Sequence, residues 1–410
     1  MDQVQRSTAD HVLSPACLAY APDGTPVSEK FNDIYHSADG GPGQAQHVFL
    51  QGNGLPERWA GKRQFVILEN GFGAGLNFLT TWAAWRADPL RPEKLHYLAT
   101  ELHPFRVEDL RRLHRPWTDL AFLSEALCND WPLLMPGFHR LEFAAGRVVL
   151  TLMLGDAEES LRKLRASVDA FYLDGFDPQK NPRMWSASLM KRCGQLAVPD
   201  ATCATWTVSR QVRQALSEAG FICQKRAGFG QKRDMLNGRI AERPKLIPPR
   251  TRSDVQTAVV IGAGLAGCAT AERLALRGWR VIVVDKHLHP AGAASGNLAG
   301  ILRPMLSRDD NLASRLNRAC FLYLDRHWRQ LDRIGQPPRR NLGGILQIAR
   351  DDAHATVQRD GLQDYPTDFL QFFDQTTAGE KMGTPVARGG WWFPHGGWAS
   401  PVSLCRKTGG

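Results

Sequence analysis

Between Gln64 and Trp85 the chain reads QFVILENGFGAGLNFLTTWAAW. Phe65 to Leu68 form a continuous apolar run, the pattern of a strand buried on both faces. Glu69 ends that run, and Gly71, Gly73 and Gly75 follow at alternate positions. Leu76, Leu79, Trp82 and Ala83 then recur on one face at helical spacing. Strand, glycine turn and helix in that order open a doubly wound α/β sheet that holds a ligand at the turn. The spacing E-x-G-x-G-x-G differs from a dinucleotide loop in its acidic lead residue. A carboxylate there repels a pyrophosphate but suits the ammonium and sulfonium of S-adenosylmethionine, whose own carboxylate can sit on free N–H groups. The glycines let the backbone approach the ligand without Cβ clashes.

Later strands supply acids at matching places. LHYLATE ends in Glu101, where a carboxylate can take both ribose hydroxyls. RVVLTLMLGDAEE carries Asp156 after Gly155, suited to the adenine amino edge, although a helix N-cap is the blander reading of this residue. FYLDGFDPQKNPRMW, Phe171 to Trp185, leaves Asp174 at the tip of another apolar strand. All four acids fall at carboxyl ends of strands, the crevice in which such sheets bind ligands.

A second glycine loop lies in TAVVIGAGLAGCATAERLALRGWRVIVVDK. Gly262, Gly264 and Gly267 make G-x-G-x-x-G directly after a strand, and Asp285 closes the next strand 23 residues after Gly262. This is the whole dinucleotide fingerprint: glycines and a helix N-terminus for the pyrophosphate, Asp285 for the adenosine ribose. Between the loops, GRIAERPKLIPPRTRSD is proline-rich, charged and aperiodic, and reads as a linker. The expected organisation is a first domain over 1–240, a linker over 241–255 and a second domain over 256–410.

Length and composition agree. At 410 residues two or three domains are expected, and 43% apolar with 22% charged residues is a globular composition. MDQVQRSTADH has neither a basic n-region nor an apolar core, so no signal peptide is read. The longest apolar run, around Thr257 to Ala271, is too short and too glycine-rich to span a membrane. Eight cysteines without a C-x-x-C pair argue against a zinc site or a disulfide framework and fit reduced thiols in the cytoplasm. The net charge of +10 points to an anionic partner. From Lys225 to Arg252 nine Lys or Arg stand against two acids, which reads equally as a solvated strip or a phosphate-contacting one.

The same residues carry a resemblance. SEKFNDIYHS, HVFLQGNGLPERW, LENGFGAGLNFL, LDGFDPQKNP-x-MW, KRAGFGQKRDML, VVIGAGLAG, AGAASGNLAGILRPMLSRD and FPHGGWASP resemble blocks of the bifunctional tRNA-modifying enzymes of the MnmC type. These enzymes make 5-methylaminomethyl-2-thiouridine at the wobble position of the anticodon. The resemblance implies a Rossmann-like S-adenosylmethionine methyltransferase followed by an FAD-binding Rossmann domain similar to amino-acid oxidases. The second half would remove the carboxymethyl group of 5-carboxymethylaminomethyl-2-thiouridine, and the first would methylate the exposed amine. Glu69, Gly71, Gly73, Gly75, Glu101 and Asp156 would serve the methyl donor, and Asp174 would face the amine. Gly262, Gly264, Gly267 and Asp285 would hold FAD, with Ser295 in the AGAASGN turn near the flavin. The implied partner is tRNA, met by a cytoplasmic monomer without metal or membrane.

Phe176 and Trp185 are candidates to stack on the flipped-out uracil, with core packing as the competing reading, and Lys180 is a candidate phosphate contact. Asp174, at an ordinary carboxylate pKa, is expected to position the amine more than to deprotonate it. Asp177 stands where the family usually has Ala. The family's flavoprotein half is longer than the 125 residues that follow Asp285. An incomplete FAD-binding sheet with exposed apolar faces is therefore expected, together with an impaired oxidase. The competing reading of the whole chain is an FAD-dependent amine or amino-acid oxidase fused to a small-molecule methyltransferase. A non-enzymatic RNA-binding remnant is a further one, which the intact donor loop opposes.

Overall fold

The computed structural model describes residues 12–37, 40–241, 256–307, 309–361 and 365–408. The chain divides into two compact units, one within Leu13–Leu246 and the other within Ile247–Gly410. The expected linker lies outside the described residues except for Ala241, and so does the end of the basic strip.

The first unit opens with a small antiparallel sheet, β1 (Ala19–Tyr20), β2 (Pro26–Ser28) and β3 (Asp33–Ile34). Helix α1 (Gly41–Gln44) runs into a π-helical turn over Ala45–Leu50. The strand and helix expected from the opening sequence follow as β4 (Gln64–Asn70) and α2 (Leu76–Ala87). Next come β5 (Lys94–Glu101), α3 (Val107–His114), α4 (Ala121–Asn129), β6 (Gly137–Phe143), β7 (Val148–Leu154) and α5 (Ala157–Lys163). The unit ends with β8 (Val168–Leu173), α6 (Ala187–Leu196), β9 (Ala197–Thr205), α7 (Arg210–Glu218), β10 (Phe221–Ala227) and β11 (Asp234–Ile240).

One eight-stranded sheet has the order β10-β11-β9-β8-β4-β5-β7-β6. Its five middle strands are parallel, and an antiparallel partner flanks them on each side. The alternation of β4 explains why it reads as apolar throughout. Phe65 and Ile67 pack in one core layer with α2, α3 and α4, while Val66 and Leu68 pack in the other with α5, α6 and α7. Strand order reverses between β4 and β8, which places the ends of these two strands at the switch point.

Two details depart from expectation. Strand β4 does not stop at Glu69, because its ladders to β5 and β8 continue to Asn70. Helix α2 is buried nearly all round rather than on one face, since the π-helical turn and α4 cover its other side.

The second unit begins with the parallel pair β12 (Thr257–Ile261) and β13 (Arg280–Val284), joined by α8 (Leu265–Ala275). Val259, Ile261, Ile282 and Val284 of this pair are exposed, Ile261 at 89%. Two three-stranded antiparallel sheets and the long helix Leu312–Arg333 follow. Among the described residues, no helix is long and apolar enough to cross a membrane.

Candidate active site

A cavity of about 650 Å³ opens over the carboxyl ends of the parallel strands and is lined by Gly71, Gly73, Glu101, Asp156, Asp174 and Phe176 among others. The glycine turn that forms one side is tightly held. Gly71 and Phe72 donate to the Thr100 carbonyl at 3.2 and 2.9 Å, and Gly75 donates to the Phe72 carbonyl at 2.8 Å. Gly71 has φ +88°, and a Cβ there would stand 2.8 Å from the Asp174 carbonyl oxygen. A side chain is therefore refused twice, by backbone conformation and by a backbone neighbour. The bare turn can therefore run directly beside the end of β8, and both Gly71 and Asp174 line the cavity.

Glu101 accepts from the Gly73 N–H at 2.7 Å through one oxygen and from the His103 N–H at 2.7 Å through the other. It thus braces the turn while facing the cavity. Asp156 is an N-cap, accepting from the Glu159 N–H at 3.0 Å, and its second oxygen pairs with Arg183 at 2.7 Å. It lines the cavity as well, so the capping and ligand-facing positions coincide.

Glu69 lies elsewhere than expected. It is fully buried beneath the cavity and is not part of its lining, so the carboxylate is not free at a strand tip. The Asn77 amide donates to Glu69 at 2.7 Å and to Asp174 at 2.8 Å. Burial, with Asp174 nearby, pushes the Glu69 carboxyl well above its ordinary range. Asp174 is half-buried in the cavity wall. Burial raises its carboxyl to about 7, against hydrogen bonds that favour the charged form. This corrects the expectation of a weak base: a carboxyl near 7 is matched to taking a proton at neutral pH.

The shift has a sign in stability. An unfolded Asp ionises near 3.8 and the folded one near 7. Stability from this group is therefore complete at or below pH ~4 and lost as pH rises to ~7. An unfolding series on the ligand-free protein is expected to show that fall, and Asp174→Asn to flatten it.

Phe176 stacks on Phe31 with centroids 4.8 Å apart and meets Tyr35 edge-on at 5.2 Å. These three rings form one wall of the cavity. Trp185 does not join them: it is 2% exposed, and its indole N–H donates to the Phe176 carbonyl at 2.9 Å. It fixes the loop from below, in the core packing weighed against stacking for this residue. Lys180 turns away from the cavity, reaching the Asn32 carbonyl at 2.5 Å and Asp33 at 3.3 Å. Asp177 accepts from the Gln179 N–H at 2.8 Å, and its own N–H donates to Asp33 at 2.7 Å. Its carboxylate thus shapes its own turn.

Several lining residues had no role in the sequence reading. Trp206 donates to the Gly175 carbonyl at 3.1 Å, and the Lys232 ammonium sits 4.0 Å from the Trp206 ring centroid. Phe229 and Met235 complete that side from the β10–β11 hairpin. Phe31, Tyr35, Phe229 and Lys232 fall within two of the blocks singled out by resemblance. That was their only signal.

The second glycine loop brings its expected residues together. A Cβ on Gly267 would stand 1.7 Å from the Gly262 carbonyl oxygen, and one on Gly264 would stand 2.9 Å from the Ser295 hydroxyl. That hydroxyl accepts from the Leu265 N–H at 3.1 Å, tying the AGAASGN turn to the start of α8. Asp285 accepts from the Ala263 N–H at 2.7 Å and the His287 N–H at 2.8 Å, and these bonds hold its carboxyl down to about 2. A helix N-terminus, a bare glycine turn and an ionised acceptor at the second strand fit the adenosine diphosphate end of FAD.

Comparison with known proteins matches residues 118–241 to a family model described as S-adenosyl-L-methionine-dependent methyltransferase. Residues 257–408 match one described as FAD dependent oxidoreductase. The chain is 51% identical over 404 residues to the tRNA 5-methylaminomethyl-2-thiouridine biosynthesis bifunctional protein MnmC of Paraburkholderia phytofirmans, covering 96% of this chain and 61% of that protein. It is 52% identical over 398 residues to the protein of the same name from Azoarcus sp., covering 96% and 62%. The chain thus spans about three fifths of the length of these curated relatives. A crystal structure of MnmC2 from Aquifex aeolicus covers 55% of this chain and 70% of its own, at 23% identity and a TM-score of 0.45. About half of its residues are identical, over nearly its whole length, to bifunctional MnmC proteins, and the chain is similar to them across both of the segments that the family models match.

Proposed function

We propose that the first unit methylates the aminomethyl nitrogen of 5-aminomethyl-2-thiouridine at the tRNA wobble position, giving 5-methylaminomethyl-2-thiouridine. The observation that carries this reading is a carboxyl near 7, Asp174, opening on a cavity beside a glycine turn whose Gly71 has no room for a side chain. S-adenosylmethionine, when bound along Gly71, Gly73 and Gly75 with Glu101 and Asp156 beside it, supplies an electrophilic methyl group.

The chain's residues prepare the amine. A primary aliphatic amine is an ammonium at neutral pH and has no free lone pair. Asp174 accepts one N–H proton: the N–H bond breaks, its electron pair stays on nitrogen, and an O–H bond forms on the carboxylate. The Phe31, Phe176 and Tyr35 wall offers a face for the base. Exposed Lys225, Arg226, Lys232 and Arg233 on the β10–β11 hairpin are candidates to meet the phosphates. If those four do so, the logarithm of affinity falls with the logarithm of salt at a slope of about 3.

The second unit is proposed to take FAD on Gly262, Gly264, Gly267, Asp285 and Ser295. The bound flavin supplies the two-electron oxidation by which the carboxymethyl group of the precursor nucleoside is lost. The proposed setting is the cytoplasm, with the protein a monomer that needs no metal.

The test is nucleoside mass spectrometry of tRNA incubated with the protein, offering carboxymethylaminomethyl and aminomethyl substrates with and without S-adenosylmethionine. Donor-dependent methylation of the aminomethyl form is expected. Its absence, in protein that binds donor by calorimetry, would remove the reading.

A further inference from the structure

Below the cavity lies a group that the proposed reaction has not used. Asn77, in the first turn of α2, is 7% exposed, and its single side-chain nitrogen donates to Glu69 on β4 at 2.7 Å and to Asp174 beyond β8 at 2.8 Å. Both neighbours are acceptors, so the nitrogen rather than the oxygen of the amide must face them. Each of its two hydrogens then serves one carboxyl.

Other groups bound the pair. Tyr97 on β5 faces Glu69, and Glu101 adds a more distant negative charge. Tyr172 sits below in a hydrogen bond with Thr81 at 3.2 Å. Lys232, over the Trp206 ring, is a cation of the cavity lining, as are Lys30 and Arg183. Among the described residues, no cation touches either carboxyl in this layer. Two carboxyls sharing one amide and no cation repel when both are ionised, so they titrate as a unit and keep one proton between them. The fully buried member, Glu69, is where that proton costs least.

We propose that Asn77 is a positioning residue of this site: by donating to both carboxyls at once, it fixes Asp174 and leaves it to carry the pair's negative charge towards the amine. The inference rests on the methyl-transfer reading above and adds to it how the base is aimed and tuned. Loss of the amide removes a donor that favours ionised Asp174, so the carboxyl becomes harder to ionise. It also frees the side chain to rotate.

The test compares wild type with Asn77→Ala, which removes the amide, and Asn77→Ser, which keeps one short donor. In Asn77→Ala the acid limb of the pH–kcat profile is expected to move up by about one pH unit. At pH 7 kcat is expected to fall roughly tenfold or more, with donor affinity by calorimetry within about threefold. Asn77→Ser is expected to lie between the two, and it serves as the probe where the alanine variant folds poorly. A second readout needs no reaction: the pH at which the stability of the ligand-free protein stops falling should rise in the variants by a similar amount. An unmoved acid limb together with an unmoved stability profile overturns the inference, even where kcat has dropped at every pH, because such a drop is only structural. Inactive wild type would instead defeat the methyl-transfer reading, and the stability profile would still decide the role of Asn77.

Discussion

Asp174→Ala is expected to lower methyl transfer by about 10³-fold or more while leaving donor affinity within about threefold. The separation follows from where the side chain points. Asp174 meets Asn77 and the cavity, whereas the glycine turn and Glu101 are held by Thr100 and by backbone N–H groups that the substitution leaves in place. Asp174→Asn refines the result. It keeps the shape but cannot accept a proton, so a loss equal to that of the alanine variant assigns the effect to proton acceptance rather than orientation. In wild type the rate should fall as pH drops below about 7, where the carboxyl takes its proton. Single-turnover methylation across pH, with donor binding measured in parallel, decides this. Unchanged turnover in Asp174→Ala would place the base elsewhere.

Gly71→Ala should do still wider damage. The residue sits at φ +88°, where an alanine costs on the order of 1–2 kcal/mol, and its Cβ would press on the Asp174 carbonyl at 2.8 Å. That neighbour is backbone, so no side-chain rotation relieves the contact. Either the turn opens or the end of β8 moves. Donor affinity should weaken by about 10²-fold and methyl transfer should become undetectable, with a lower unfolding midpoint. By contrast, a Cβ on Gly73 would meet only the Tyr35 ring, at 3.6 Å, although its φ of +51° still disfavours a side chain. Gly73→Ala should therefore lose less. Calorimetry of the two variants side by side tests the ranking, and equal affinities would show that the turn is more pliant than its contacts imply.

The sheet and its two glycine turns were legible because buried strands announce themselves as apolar runs and their ends as glycines and acids. Glu101, Asp156 and Asp174 were found that way, and each lines the cavity. Glu69 obeyed the same pattern yet lies under the floor, because β4 runs on to Asn70 and turns that side chain into the layer beneath α2. Trp185 and Phe176 are nine residues apart on one loop, and nothing in their chemistry separates the one that packs inside from the one that faces out. Phe31, Tyr35, Trp206 and Lys232 come from distant segments that only the fold gathers. Asn77 left one faint mark, an amide in the first turn of a mostly apolar helix.

The register of β4 and β8 has a consequence for distance. Asn70 lies opposite Leu173, so the next residues, Gly71 and Asp174, leave the sheet side by side. Neighbouring parallel strands stand about 4.8 Å apart whatever their side chains. On the proposed reading, with the methyl donor along Gly71 and Asp174 as the base, the gap between them is set by the sheet's own repeat and works as a ruler. Repacking of the helices on either face leaves it unchanged, and only a slip of the whole ladder would misread it.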